Sequence, residues 1–272
     1  MGEQTISIGG QRIAFLASVG SGRAVIFVHG NSSSARTWEP MLTGPFGQRF
    51  RCLALDLPGH GRSAPAEDHS VYSLPGYAGM LAGFAQAAGA ADAVIVGWSL
   101  GGHIALEAAP SLPAAAGLVV FGTPPVSSAA QMGEAFLPNP AMNVGFTAAV
   151  SADEAQTYAA SFTAPGSPVP RCVHYRHPAD RRRGPVRAVR QHRRGQFADE
   201  VAIAQTIGRP LTILHGAGEQ LVNLQYLRQL AILTLWRGEV QVIPGTGYSP
   251  HQEAPAAFAA VLEQFIADLE AR

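Results

Sequence analysis

Residues 94–107, VIVGWSLGGHIALE, constrain this chain more than any other stretch. A short apolar run with no polar alternation suits a strand covered on both faces, as in a parallel sheet. The run breaks at Gly97-Trp98-Ser99, and apolar residues resume at helical spacing from about 100 to 109. Strand, tight turn and helix in direct succession make one unit of an α/β sheet. The rhythm recurs. AVIFV (24–28), CLALDLPGHG (52–61), GLVVFGTPP (117–125), PLTILHG (210–216) and EVQVIPG (239–245) read as strands, and TISIGGQRIAFLAS (5–18) as a hairpin about Gly9-Gly10. Leu74, Tyr77, Leu81, Phe84 and Ala88 place a helix over 73–90; Phe258, Val261, Leu262, Phe265 and Ile266 place another over 255–269. The expected fold is α/β, a mostly parallel eight-stranded sheet with helices on both faces. Pro-rich and Gly-rich turns break the rhythm over 124–207, which is expected to be a lid inserted between core segments 1–123 and 208–272.

Composition excludes several functions. Of 272 residues 47% are apolar and 14% charged, enough to bury a large core. The 19 basic and 19 acidic residues cancel, so no overall field draws in nucleic acid or a membrane surface. Every basic residue is Arg, which removes Schiff-base and lysine-base chemistry. Cys52 lies in an apolar run and reads as an inert buried thiol; with Cys172 it forms no C-x-x-C pattern. The N-terminus lacks a signal-peptide pattern, and the uncharged stretch from Ala108 to Met132 holds four prolines and reads as no membrane span. A cytoplasmic protein, monomeric or weakly dimeric, is expected.

Chemistry enters at the strand ends. Gly97 and Gly101 permit a turn sharp enough to leave Ser99 strained and exposed, the pattern G-x-S-x-G of a nucleophile elbow. The Leu100 N–H at the helix start then points to a developing oxyanion. HGNSSS (29–34) follows an earlier strand and offers the Asn31 N–H as second donor, with the Asn31 side chain in reach of substrate. His29 is expected to shape that loop.

HGN (29–31), DLPGHGRS (56–63), GWSLGGH (97–103), HGAGEQLV (215–222) and GTGYSPHQEAP (245–255) together resemble the α/β-hydrolase fold family, over nearly the whole chain outside the expected lid. HGNSSS, YSLPGYAG (72–79) and GTPPV (122–126) are similar to the α/β-hydrolase-type N-acyl-homoserine lactonases. The resemblance implies acyl transfer to water at an ester or lactone carbonyl, with a short-to-medium N-acyl-homoserine lactone as substrate and no cofactor or metal. It puts Glu219 at the position of the acid that orients the base, and Tyr158 at that of a lid tyrosine that holds substrate. Asp56, His60, His103 and His215 fall at turn and strand-end positions, with packing or loop-shaping roles. Trp98, Phe121, Phe136, Met142 and Phe146 are candidates to line an acyl-chain pocket or to be plain core.

One position departs from the pattern. Where the family has its catalytic histidine, this chain has Tyr248. A phenol with a pKa near 10 lacks the second nitrogen that receives an orienting carboxylate. Three readings stay open: a crippled or non-catalytic protein, a displaced base supplied by His251, or a single-base change in the gene. Carboxylesterase or C–C hydrolase chemistry and a silent lactone-binding role are the alternatives to lactone hydrolysis.

RCVHYRHPADRRRGPVRAVRQHRRG (171–195) holds nine of the 19 Arg and three of the nine His, with only Asp180 to offset them. An anion patch and a solvated loop are two readings. A third fits the missing apolar periodicity: read one nucleotide late, an Arg codon CGN followed by C or G becomes a codon for Ala, Val, Gly, Asp or Glu. The shifted frame permits Arg-Thr-Asp-Gly under codons 179–182 and an amphipathic helix under 185–192. Resequencing the gene should therefore show compensating frame changes about this segment; confirmed Arg codons with a stop in the shifted frame would refute it.

Overall fold

The computed structural model describes residues 1–146, 151–169 and 198–271, so the Arg-rich segment and Cys172 lie outside the described residues. Eight strands form one sheet: β1 (Gly2–Ile8), β2 (Gln11–Ala17), β3 (Gly22–Val28), β4 (Phe50–Leu55), β5 (Val94–Trp98), β6 (Gly117–Phe121), β7 (Leu211–Gly216) and β8 (Gln241–Ile243). Their order is β1-β2-β4-β3-β5-β6-β7-β8, antiparallel from β1 to β4 and parallel from β4 to β8. The register sets Val28 beside Gly97 and Trp98 beside Phe121, so the loops after β3, β5 and β6 leave the sheet at one level.

The helices used below are α1 (Leu74–Ala87), α2 (Leu100–Ala108), α3 (Ala152–Ala160), α4 (Glu200–Thr206), α5 (Pro250–Glu253) and α6 (Pro255–Glu270). Val25 to Val28 and Val94 to Val96 are fully buried, as continuous apolar runs demand of central parallel strands. Ser73 caps α1 by accepting from the Gly76 N–H, and Phe84 of α1 meets Phe15 of β2 edge to face. Along α6, Phe258 packs on Phe121 and Phe265 covers Gly117, the two ends of β6. Cys52 is buried in β4, and burial pushes its thiol up to about 12. No helix among the described residues is long and apolar enough to cross a membrane.

Between β6 and β7 the chain makes its long excursion, and its two ends meet at one carboxyl group. The Glu200 N–H donates to Val126 O (3.1 Å), and the Val126 N–H donates back to Glu200 Oε2 (3.1 Å). His103 Nδ1 on α2 lies 2.8 and 2.9 Å from the two carboxyl oxygens. Burial pushes the His103 imidazole down to about 3, so the neutral ring donates its Nδ1–H. One turn along α2, burial pushes Glu107 up to about 7, and the nearby Glu200 adds to the rise. His103 is thus a packing residue, tied to a partner far along the chain. Glu200→Ala would strand two buried N–H donors at this neck, a loss of about 3 kcal/mol. The melting temperature followed by circular dichroism should fall by roughly 10 °C; an unchanged melt would show that the neck is held by other contacts.

Candidate active site

The turn after β5 is built on backbone contact. Ser99 has φ +56 and ψ −122, a conformation a side-chain-bearing residue holds at a cost of about 1–3 kcal/mol. A Cβ on Gly97 would sit 2.4 Å from Gly101 O, and one on Gly101 would sit 2.2 Å from Val28 O. Only glycine fits either flank. The strained residue is pinned by four bonds: its N–H donates to Phe121 O (2.9 Å), and its carbonyl accepts from the Gly102 N–H (2.9 Å), the His103 N–H (3.3 Å) and Thr123 Oγ1 (2.8 Å). Leu100 opens α2, so its N–H has no carbonyl one turn earlier within the helix.

The 29–34 turn lies against the serine. A Cβ on Gly30 would be 3.1 Å from Ser99 Cβ. Asn31 Oδ1 is buried here with no hydrogen-bond partner. His29 Nε2 accepts from the Leu57 N–H (3.1 Å), which leaves the proton on Nδ1 to donate to Gly30 O (2.8 Å). This histidine is neutral and shapes the loop. Asp56 plays a similar part, its carboxylate accepting from the Ala35 (2.7 Å) and Arg62 (2.8 Å) N–H groups.

Tyr248 occupies the third corner. Its hydroxyl lies 2.6 Å from Ser99 Oγ and 3.1 Å from Gly122 O. Gly122 makes the room: with φ +59, a Cβ there would sit 2.8 Å from the phenol ring. Phe162 stacks on the ring at 5.2 Å and 21°, and the Trp98 indole N–H donates to Tyr248 O (3.0 Å). Burial holds the phenol well above its ordinary value; the Ser99 bond opposes this, and Glu219 and Tyr158 reinforce it. The hydroxyl keeps its proton throughout the usable pH range and can take none from Ser99.

Glu219 turns to its own loop. Its Oε1 accepts from the Leu221 N–H (2.8 Å) and the Val222 N–H (3.3 Å). Burial pushes the carboxyl up to about 8, against those backbone donors and with Glu253 adding to the rise. At pH 7 it is mostly protonated, as a carboxyl with no imidazolium to face should be. Tyr158 is buried, its ring 4.6 Å from Phe162, so Tyr158, Phe162 and Tyr248 form an aromatic series. Trp98 has committed its N–H to Tyr248 and offers a ligand only ring surface.

One of the three readings made His251 a displaced base, and its surroundings count against that. Its Nε2 is bonded to Thr37 Oγ1 (3.0 Å), and its Nδ1 is buried with no hydrogen-bond partner. The ring is fully buried among Trp38 (4.6 Å), Trp98 (4.8 Å) and Phe121 (5.2 Å). Burial pushes it down to about 3, too weak a base for the task. It is a core histidine. Sequence reasoning passed over Phe162, Gly122 and Glu253. Gly122 and Glu253 sit inside the quoted GTPPV and GTGYSPHQEAP motifs, while nothing local marks Phe162.

Residues 25–261 match the alpha/beta hydrolase family. The chain is an α/β-hydrolase. Among solved structures this hydrolase is similar to the N-acyl homoserine lactonase AidH, at 34% identity over 98% of this chain and 97% of that one, with a TM-score of 0.90. That structure holds N-hexanoyl homoserine; a serine-to-glycine mutant of AidH, at 33% identity and TM-score 0.90 over 99% of this chain and 98% of that one, holds N-hexanoyl homoserine lactone. Among curated proteins it is similar to the pimeloyl-acyl-carrier-protein methyl ester esterase of Methylococcus capsulatus, 36% identical over 40% of this chain and 41% of that protein. An esterase of Mycobacterium tuberculosis is 38% identical over 38% of this chain and 33% of its own length. The matched region spans less than half of either esterase.

The proton on Glu219 gives a stability test. Its folded pKa, about 8, lies above the ordinary 4.5, so the native state holds the proton to higher pH than the unfolded chain. The residue costs nothing below 4.5 and destabilises progressively as pH rises from there through 8. Glu219→Gln removes that cost. Between pH 6 and pH 9 the variant's melting temperature should gain on the parent's; parallel curves would show that Glu219 is ionised at neutral pH.

Proposed function

We propose that this α/β-hydrolase acts on ester and lactone carbonyls, with N-acyl-homoserine lactone ring opening as its chemistry, and that Tyr248 holds it in a slow state. The observation that carries the reading is the 2.6 Å contact of the phenol on Ser99 Oγ, inside a site otherwise fitted for acyl transfer. In the reaction, Ser99 Oγ attacks the lactone carbonyl and the Asn31 and Leu100 N–H groups hold the oxyanion. Residues 124–207 serve as a lid, Tyr158 helps to hold the acyl-homoserine lactone and the Trp98 ring lines its site. A base at 248, oriented by Glu219, would take the serine proton and pass it to the leaving alkoxide. A protonated phenol cannot, so turnover rests on the oxyanion donors and binding. Loss of a triad member lowers turnover on the order of 10⁶-fold, leaving roughly 10³–10⁴ over water.

A second reading, a silent lactone-binding protein, is favoured by the same hydrogen bond, which engages the nucleophile's oxygen. Labelling with a serine-reactive fluorophosphonate and assay of N-hexanoyl homoserine lactone opening separate the two. The parent should label slowly, and Tyr248→His should open the lactone at least about a thousandfold faster. Lactone binding without any gain in the variant would favour the silent protein, and a parent and variant both inert to label and lactone would refute the hydrolase reading.

A further inference from the structure

Glu253 sits at the end of α5, five residues past Tyr248, and the chemistry above gives it no role. Its Oε1 accepts from the Gly247 N–H (2.9 Å) and the Ser249 N–H (3.2 Å), the residues on either side of Tyr248. Its Oε2 accepts from the Ala164 N–H (2.8 Å), in the segment that follows α3. One carboxyl therefore joins the loop carrying residue 248 to the segment carrying Phe162, whose ring lies on the phenol.

Two further contacts support this joint. A Cβ on Gly247 would lie 2.4 Å from the Thr163 carbonyl carbon, so the two backbones touch with no side chain between them. From the other side Gln220, next to Glu219, donates through Nε2 to Thr163 O (2.8 Å) and Ala160 O (3.2 Å). Segment 160–164 is thus gripped both by the loop bearing the acid and by the loop bearing residue 248.

We propose that Glu253 is a positioning residue that couples segment 158–164 to the placement of residue 248 on Ser99. A group bound against Tyr158 and Phe162 would then displace the 247–249 loop with it, so occupancy of that aromatic surface sets how the side chain at 248 meets the nucleophile. Three backbone N–H donors on one carboxylate make a charge-assisted joint, stronger than neutral bonds of the same geometry. The coupling rests on the serine-hydrolase reading only for its effect on turnover; the joint itself does not.

Hydrogen exchange read by mass spectrometry tests the joint in the full chain. Glu253→Ala should speed exchange at least about tenfold in peptides covering both 158–166 and 245–250, with β5 and the N-terminal hairpin unchanged. Glu253→Gln keeps one acceptor oxygen and should loosen 158–166 more than 245–250. Faster exchange in 245–250 alone, or an equal rise across the whole chain, would overturn the coupling. In a Tyr248→His background, Glu253→Ala should lower kcat about 30-fold with KM within threefold and shift the acid limb of the pH profile, and Glu253→Gln should recover part of kcat. An unmoved pH profile, with activity falling only as the folded fraction falls, would also overturn it. If Tyr248→His shows no turnover, the hydrolase reading fails and the exchange result still decides the joint.

Discussion

The turn between β5 and α2 folds so tightly that Gly97 has no space for a side chain beside the Gly101 backbone, and it presses Gly101 just as closely on the end of β3. That contact holds Ser99 at positive φ and, with the same stroke, brings the Gly30–Asn31 turn against it. The parallel register of β3, β5 and β6 sets the level at which these loops meet. Phe121 and Thr123, leaving β6, supply two of the bonds that keep the strained serine in place. The site is therefore a property of sheet geometry before it is a property of its side chains.

Into that geometry the chain puts a phenol. The ring is accommodated fully: Gly122 vacates its edge, Phe162 covers its face, Trp98 holds its backbone carbonyl and its hydroxyl reaches Ser99. Burial holds the Glu219 carboxyl up at about 8, so it is mostly protonated near pH 7. At neutral pH the phenol and that carboxyl are thus both uncharged.

Much of this was legible in the residues. Continuous apolar runs marked β3, β5 and β6 because central parallel strands are buried on both faces, and the glycines of the elbow marked the turn because only glycine fits. The departure at 248 was legible because its flanking motif is intact. Less local features were not. That His251 is a buried, weakly basic core ring depends on where α5 packs, with Thr37, more than 200 residues away, on its Nε2. The stack of Phe162 on Tyr248, the grip of Glu253 on two segments and the pairing of His103 with Glu200 are matters of distance across the fold, with no periodicity to announce them.

The meeting of Val126 and Glu200 has a consequence for how the chain tolerates change. Both ends of the excursion are fixed to each other and to α2, so the core already holds them together. The entropic cost of such a loop rises only by about 0.6 kcal/mol for each doubling of its length. A length change that spares segment 158–164, which packs on Tyr248, therefore carries a small entropic cost while Val126 and Glu200 stay joined.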